Sequence, residues 1–176
     1  SGKSSVAKIL SNNSNLLFSA DIAVQDLYKS NLFKRKISKK FKLNKVEIKK
    51  EIKEKLLSKK ISLRDLGNFI HPVVRTKMKN FYKKNKNKKI LFFEIPLLIE
   101  SKLMNYFDYI ILVVAPRKQR LKRYIKKGGN ERMFNLLDKG QISPRKKVKF
   151  CDYLIVNNKS KIFLKRKVND IINLSE

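Results

Sequence analysis

Residues 1–10 read Ser1-Gly2-Lys3-Ser4-Ser5-Val6-Ala7-Lys8-Ile9-Leu10. A glycine, a lysine and three serines come first, and an apolar-patterned helix follows. This is the closing third of the phosphate-binding pattern G-x-x-x-x-G-K-[ST] together with the helix the pattern opens. Gly2 lets the backbone come close to a phosphate. The Lys3 ammonium reaches β- and γ-phosphates, and the Ser4 hydroxyl suits Mg²⁺. The helix start adds the positive end of its dipole. Gly2, Lys3, Ser4 and Ser5 are therefore expected around the phosphates of a nucleotide, with Lys3 acting on the transition state. The run is short, and G-K-S also arises by chance in a Lys-rich chain.

Composition narrows the class. The 176 residues fit one domain, and 42% hydrophobic content supports a packed core over a disordered chain. No apolar run is long enough to span a bilayer, so no membrane role is expected. The one cysteine, Cys151, excludes an intrachain disulfide and fits a reducing, cytoplasmic setting. The net charge of +30 raises nucleic acid as a partner. Yet the charge is spread from Lys3 to Lys167, is mostly Lys, and nowhere interleaves Arg with aromatics as an RNA platform does. Drift toward Lys, with a polyanionic small ligand, explains it better, and no specific nucleic-acid partner is expected.

The periodicity alternates between strands and helices. Helical patterns fall at 3–11, 22–29 and 45–57. Ser62 with Asp65 three residues on opens another, which His71-Pro72 interrupts before it resumes to 84. Strand patterns fall at 16–18, 90–95, 109–114 and 153–156. The middle two are almost continuously apolar, as in strands buried on both faces of a parallel sheet. The stretch 117–150 is helical, basic and broken at Gly128-Gly129, and an amphipathic helix at 160–173 closes the chain. This argues a single doubly wound α/β domain.

The ordered pieces SGKSSVAKIL at 1–10, SADIAVQDLY at 19–28, IHPVVR at 70–75, EIPLLIES at 94–101, FDYIILVVAP at 107–116 and QISPRKKVKFCDYLIVNN at 141–158 resemble dephospho-coenzyme A kinases. These are P-loop kinases of the nucleoside-monophosphate-kinase type. The resemblance implies a three-layer fold on a parallel sheet, a helical acceptor region at about 21–88 and a lid at about 117–150. It implies transfer of the ATP γ-phosphoryl group, with Mg²⁺, to the ribose 3′-hydroxyl of dephospho-coenzyme A by a monomeric enzyme. Asp21 matches the second acid of an Asp-Ala-Asp motif, the acceptor's base, while Ser19 replaces the first. Capping of the following helix is an alternative duty for Asp21. His71, Arg75, Pro96, Leu97 and Leu98 fall on the acceptor side and Asn157 on the adenine side. Glu94 resembles an acid at a strand end beside the loop. Arg123 and Lys127 align with an arginine pair of the lid helix.

Several departures matter. Lys127 cannot make the bidentate fork of an arginine. Leu136 and Leu137 stand where a further lid arginine is usual. The family opens with a strand and a glycine-rich segment that this chain lacks, so a fragment is expected, with the 90–95 and 109–114 strands missing their shared neighbour. Other readings stay open: another small-molecule P-loop kinase of nucleoside or shikimate type, or a basic nucleic-acid-binding protein with a degenerate loop. Steep salt dependence of nucleic-acid binding without nucleotide affinity would mark the last.

Overall fold

The computed structural model describes residues 1–12, 16–44 and 46–174. Helix α1 (Lys3–Leu10) leads into strand β1 (Leu17–Ser19), followed by α2 (Ala20–Leu27), α3 (Asn31–Phe41), α4 (Ile48–Leu57) and α5 (Leu63–Asn85). Strand β2 (Phe92–Glu94) and, after a 3-10 turn, β3 (Ile111–Val114) come next. Then follow α6 (Arg117–Lys126), α7 (Glu131–Lys139), α8 (Pro144–Lys147), β4 (Tyr153–Val156) and α9 (Lys161–Leu174).

The strands pair in parallel, as their apolar runs predict. β1 pairs with β2, Ser19 opposite Glu94, and β3 pairs with β4, Ile111 opposite Tyr153. The two pairs are not bonded to each other. Among the described residues no strand lies between β2 and β3. Residues of both strands instead line one cleft of about 160 Å³, whose floor includes Val6, Ala7 and Leu10 of α1. Among the described residues β2 and β3 share no hydrogen-bonded neighbour. Their edges leave backbone donors and acceptors without ladder partners.

Three apolar clusters hold the molecule. Val6, Val113, Ile155, Leu164 and Val168 join α1 and α9 to the β3–β4 pair. Phe18, Ala23 and Met78 join α2 and α5 to the β1–β2 pair, with Phe81, Phe93 and Phe107 stacked alongside at centroid distances of 5.3–6.0 Å. The largest cluster is mostly helical: Leu27 of α2, Phe33, Ile37 and Phe41 of α3, Ile48, Ile52 and Leu56 of α4, Ile70 of α5 and Met133 of α7, with Leu43 from the loop after α3.

Two elements differ from the sequence reading. Helix α3 was not expected. Its signals are Ser30, whose hydroxyl caps Phe33 N–H at 3.4 Å, and the i, i+4, i+8 spacing of Phe33, Ile37 and Phe41. Five basic residues on its other face masked that pattern. Helix α5 runs unbroken through Pro72. The missing N–H and the clash of the ring with the preceding turn cost about 3 kcal/mol in an isolated helix. Here Ile70 before and Met78 after are both buried, so packing keeps the two halves in line. The capping box at Ser62 and Asp65 is present as read from the sequence. The expected start of the α4 stretch at Lys45 lies outside the described residues.

Candidate active site

The residues of the opening loop converge with the ends of β1 and β2. Gly2 is the N-cap of α1 with φ +94°, a left-handed conformation natural only to glycine. Its carbonyl accepts the N–H groups of Ser5 and Val6, both at 3.1 Å, which starts the helix. A β-carbon on Gly2 would meet Asn157 Nδ2 at 2.1 Å. That buried amide donates to the Ser1 carbonyl at 2.8 Å. The residue just past β4 therefore packs directly on the loop. Ser5 is exposed on the first turn of α1.

Glu94, at the end of β2, is buried and joins two hydroxyls. Ser4 Oγ donates to its Oε1 at 2.5 Å and Ser19 Oγ to its Oε2 at 3.1 Å. Ser19 also caps α2, accepting from Ile22 N–H at 3.5 Å. The N-cap duty that the sequence left open for Asp21 falls to Ser19, and Asp21 lies in the first turn of α2.

The charges around this point perturb one another. Burial lowers the Lys3 ammonium's pKa; Asp21 and Glu94 oppose that shift, while Lys147 and Arg120 add to it. Asp21 has an exposed side chain, yet the surrounding protein strips hydration and raises its pKa, with Glu94 adding and Lys3 and Lys127 opposing. The two shifts share a cause, the burial of charged groups close to one another, which is common where proteins do chemistry.

On the α6–α7 side, Arg120 is held by Asp138 of α7 and lies over Phe134, 5.6 Å from the ring centre. Arg123 donates to Gln119 at 3.4 Å, and Lys127, one turn on, is the C-cap of α6. Both are exposed. On the other side, Arg75 donates to the Ser101 carbonyl at 3.1 Å. The His71 ring covers Gly67 one turn back, and burial followed by the Arg75 charge lowers its pKa. Pro96, Leu97 and Leu98 open the turn after β2; Leu98 faces the cleft between the strand pairs, which Lys3 also lines.

One buried ion pair was not singled out from sequence. Lys147, buried in α8, pairs with Glu100 at 2.7 Å, and the same Glu100 oxygen accepts Ile142 N–H at 3.0 Å. This ties α8 to the turn after β2. No local pattern marks one buried lysine within Arg145-Lys146-Lys147. Cys151 is partly buried and donates to the Lys147 carbonyl at 3.1 Å.

A parallel α/β fold with a glycine-capped helix start, a lysine and a hydroxyl beside a strand-end carboxylate defines a P-loop kinase, an ATP-dependent transferase. The dephospho-CoA kinase family model matches residues 1–162. The dephospho-CoA kinase of Rickettsia typhi is 28% identical over 173 residues, covering 98% of this chain and 91% of that one. The Fusobacterium nucleatum enzyme is 32% identical over 178 residues, covering 96% and 90%. The solved dephospho-CoA kinase from Campylobacter jejuni superposes with a TM-score of 0.63 at 27% identity, covering 98% and 90%. The chain belongs to the dephospho-CoA kinase family.

Proposed function

We propose that this protein transfers the γ-phosphoryl group of ATP to the ribose 3′-hydroxyl of dephospho-coenzyme A, giving coenzyme A and ADP. The observation that carries the reading is the convergence of Lys3, Ser4, Glu94 and Asp21 where α1, β2 and α2 begin or end. Phosphoryl transfer asks the protein for positioning, charge neutralisation and one oriented acceptor hydroxyl. Gly2 and the α1 N–H groups, with Ser5, cradle the phosphates, and Lys3 neutralises charge on the transferring group. Asp21 accepts the hydroxyl proton; its raised pKa suits it better to that task than an ordinary carboxylate. Arg123 and Lys127 close over the phosphates, with Gly128 at φ +82° as the hinge. His71, Arg75 and the turn at Pro96, Leu97 and Leu98 border the acceptor. Asn157 borders the adenine while holding the loop.

The donor set fits Mg²⁺. Ser4 and Glu94 offer hard oxygen ligands, and among the described residues no group of three or more His, Cys, Asp or Glu could hold a metal. Mg²⁺ typically takes one or two protein oxygens and completes its shell with substrate phosphates and water. Bound there, it would supply charge neutralisation at the phosphates. A monomeric, cytoplasmic enzyme without a specific nucleic-acid partner completes the reading; no described helix is long and apolar enough to cross a membrane.

The test is chromatographic. Folded protein with millimolar-range dephospho-coenzyme A, ATP and Mg²⁺ is expected to form coenzyme A and ADP in equal amounts. Absence of product overturns the reading.

A further inference from the structure

Ser19 closes β1 and caps α2 with one hydroxyl. A serine hydroxyl has one proton and two lone pairs. The proton goes to Glu94 Oε2 at 3.1 Å, and a lone pair takes the Ile22 N–H at 3.5 Å. Ser4 spends its one proton in the same way on Glu94 Oε1, at 2.5 Å. The Ser4 oxygen is then left with acceptor lone pairs alone, which is the state in which it ligates a cation.

We infer that Ser19 is a positioning residue for phosphoryl transfer. Its hydroxyl holds Glu94 in the orientation that takes the Ser4 proton, and through the same atom fixes the start of the helix bearing Asp21. The inference rests on the proposed function. Three features support it. Ser19 and Glu94 are directly opposite in the β1–β2 register, so the backbone allows little slack between them. Both are buried, so water is a poor substitute for the lost donor. Asp21 lies two residues beyond Ser19, within the first turn that the cap sets. A hydroxyl beside a ligating carboxylate acts on a metal through its orientation, and loss of such a partner commonly costs 10–100-fold in metal affinity.

Three variants separate positioning from capping. Ser19→Thr keeps donor and cap. Ser19→Ala loses both. Ser19→Asp still caps α2 but has no proton to give and sets a second carboxylate against Glu94. The readouts are ADP affinity by calorimetry with and without Mg²⁺, and the thermal midpoint. The ratio of the two affinities is expected to fall about tenfold in Ser19→Ala. It is expected to fall likewise in Ser19→Asp, where the cap remains but Glu94 loses its donor and is repelled by the new carboxylate, and to match the parent in Ser19→Thr. An unchanged ratio in both Ser19→Ala and Ser19→Asp, with only Ser19→Ala melting lower, overturns the inference and leaves Ser19 a cap. If Ser19→Ala does not fold, the ratio in Ser19→Asp decides. A parent protein that binds no ADP and makes no coenzyme A overturns the functional reading as well; a parent that does both isolates the failure to Ser19.

Discussion

The Asn157 amide occupies the space a side chain on Gly2 would need, 2.1 Å from the β-carbon position, and bonds the carbonyl of Ser1. Residues 155 positions apart are thereby locked at the phosphate loop. Gly2→Ala meets two obstacles. A left-handed φ costs an L-residue about 1–2 kcal/mol, and Asn157 must move. The expected result is a lower thermal midpoint and loss of ATP binding by calorimetry. Adding Asn157→Ala should recover part of the stability, because it removes the clash but not the backbone strain. No recovery would show that strain alone is responsible.

Lys3→Ala should leave the fold intact, since the one side-chain hydrogen bond of Lys3 among the described residues is a 3.4 Å bond to Ser1 Oγ. Its charge acts on the phosphates. Turnover is expected to drop on the order of 10²-fold or more, as when one preorganised electrostatic group is removed. Steady-state kinetics beside circular dichroism checks both halves. Activity near the parent's would remove the loop from the chemistry.

Asp21→Asn carries a double prediction. Removing the proton acceptor should lower turnover on the order of 10²-fold or more while ATP binding persists. Stability should move the other way. The folded protein raises the carboxyl's pKa above its ordinary 3.8, so ionised Asp21 opposes folding at neutral pH. That penalty is present above the folded-state pKa and disappears below the unfolded value. Asp21→Asn should therefore melt higher than the parent at pH 7, with the gain vanishing below about pH 4. A lower melting point at pH 7 would contradict the assigned burial and repulsion.

Lys147→Met tests the tie between α8 and the turn after β2. With Lys147 and Glu100 side chains only 10% and 16% exposed, removing the cation strands a buried carboxylate, at a cost of about 3–5 kcal/mol. The exposed pair of Lys50 and Glu47 is a control whose loss should cost under about 1 kcal/mol. Denaturant unfolding of Lys147→Met, Lys50→Met and the parent makes the comparison. Pairing Lys147→Met with Glu100→Leu should recover much of the loss.

Local chemistry was readable wherever a residue's role depends on its neighbours in the chain. The cap at Ser62 and Asp65, the loop at Gly2, Lys3 and Ser4, and the apolar strands all follow from short-range pattern. Helix α3 was equally local but hidden, because its lysines dilute the hydrophobic signal that Phe33, Ile37 and Phe41 carry. Pro72 misled for the opposite reason: the local rule says break, and burial of Ile70 and Met78 overrides it.

The sequence alone thus determined the class of fold and the phosphate chemistry of the first five residues, because those depend on residue type and spacing. Only the tertiary structure decided that Ser19 bonds Glu94, where the Ser4 proton goes, and which lysine among so many is buried against Glu100. Those outcomes depend on distances between segments 75, 90 and 47 residues apart, and a hydrogen bond or buried ion pair exists only once packing has brought its partners within about 3 Å.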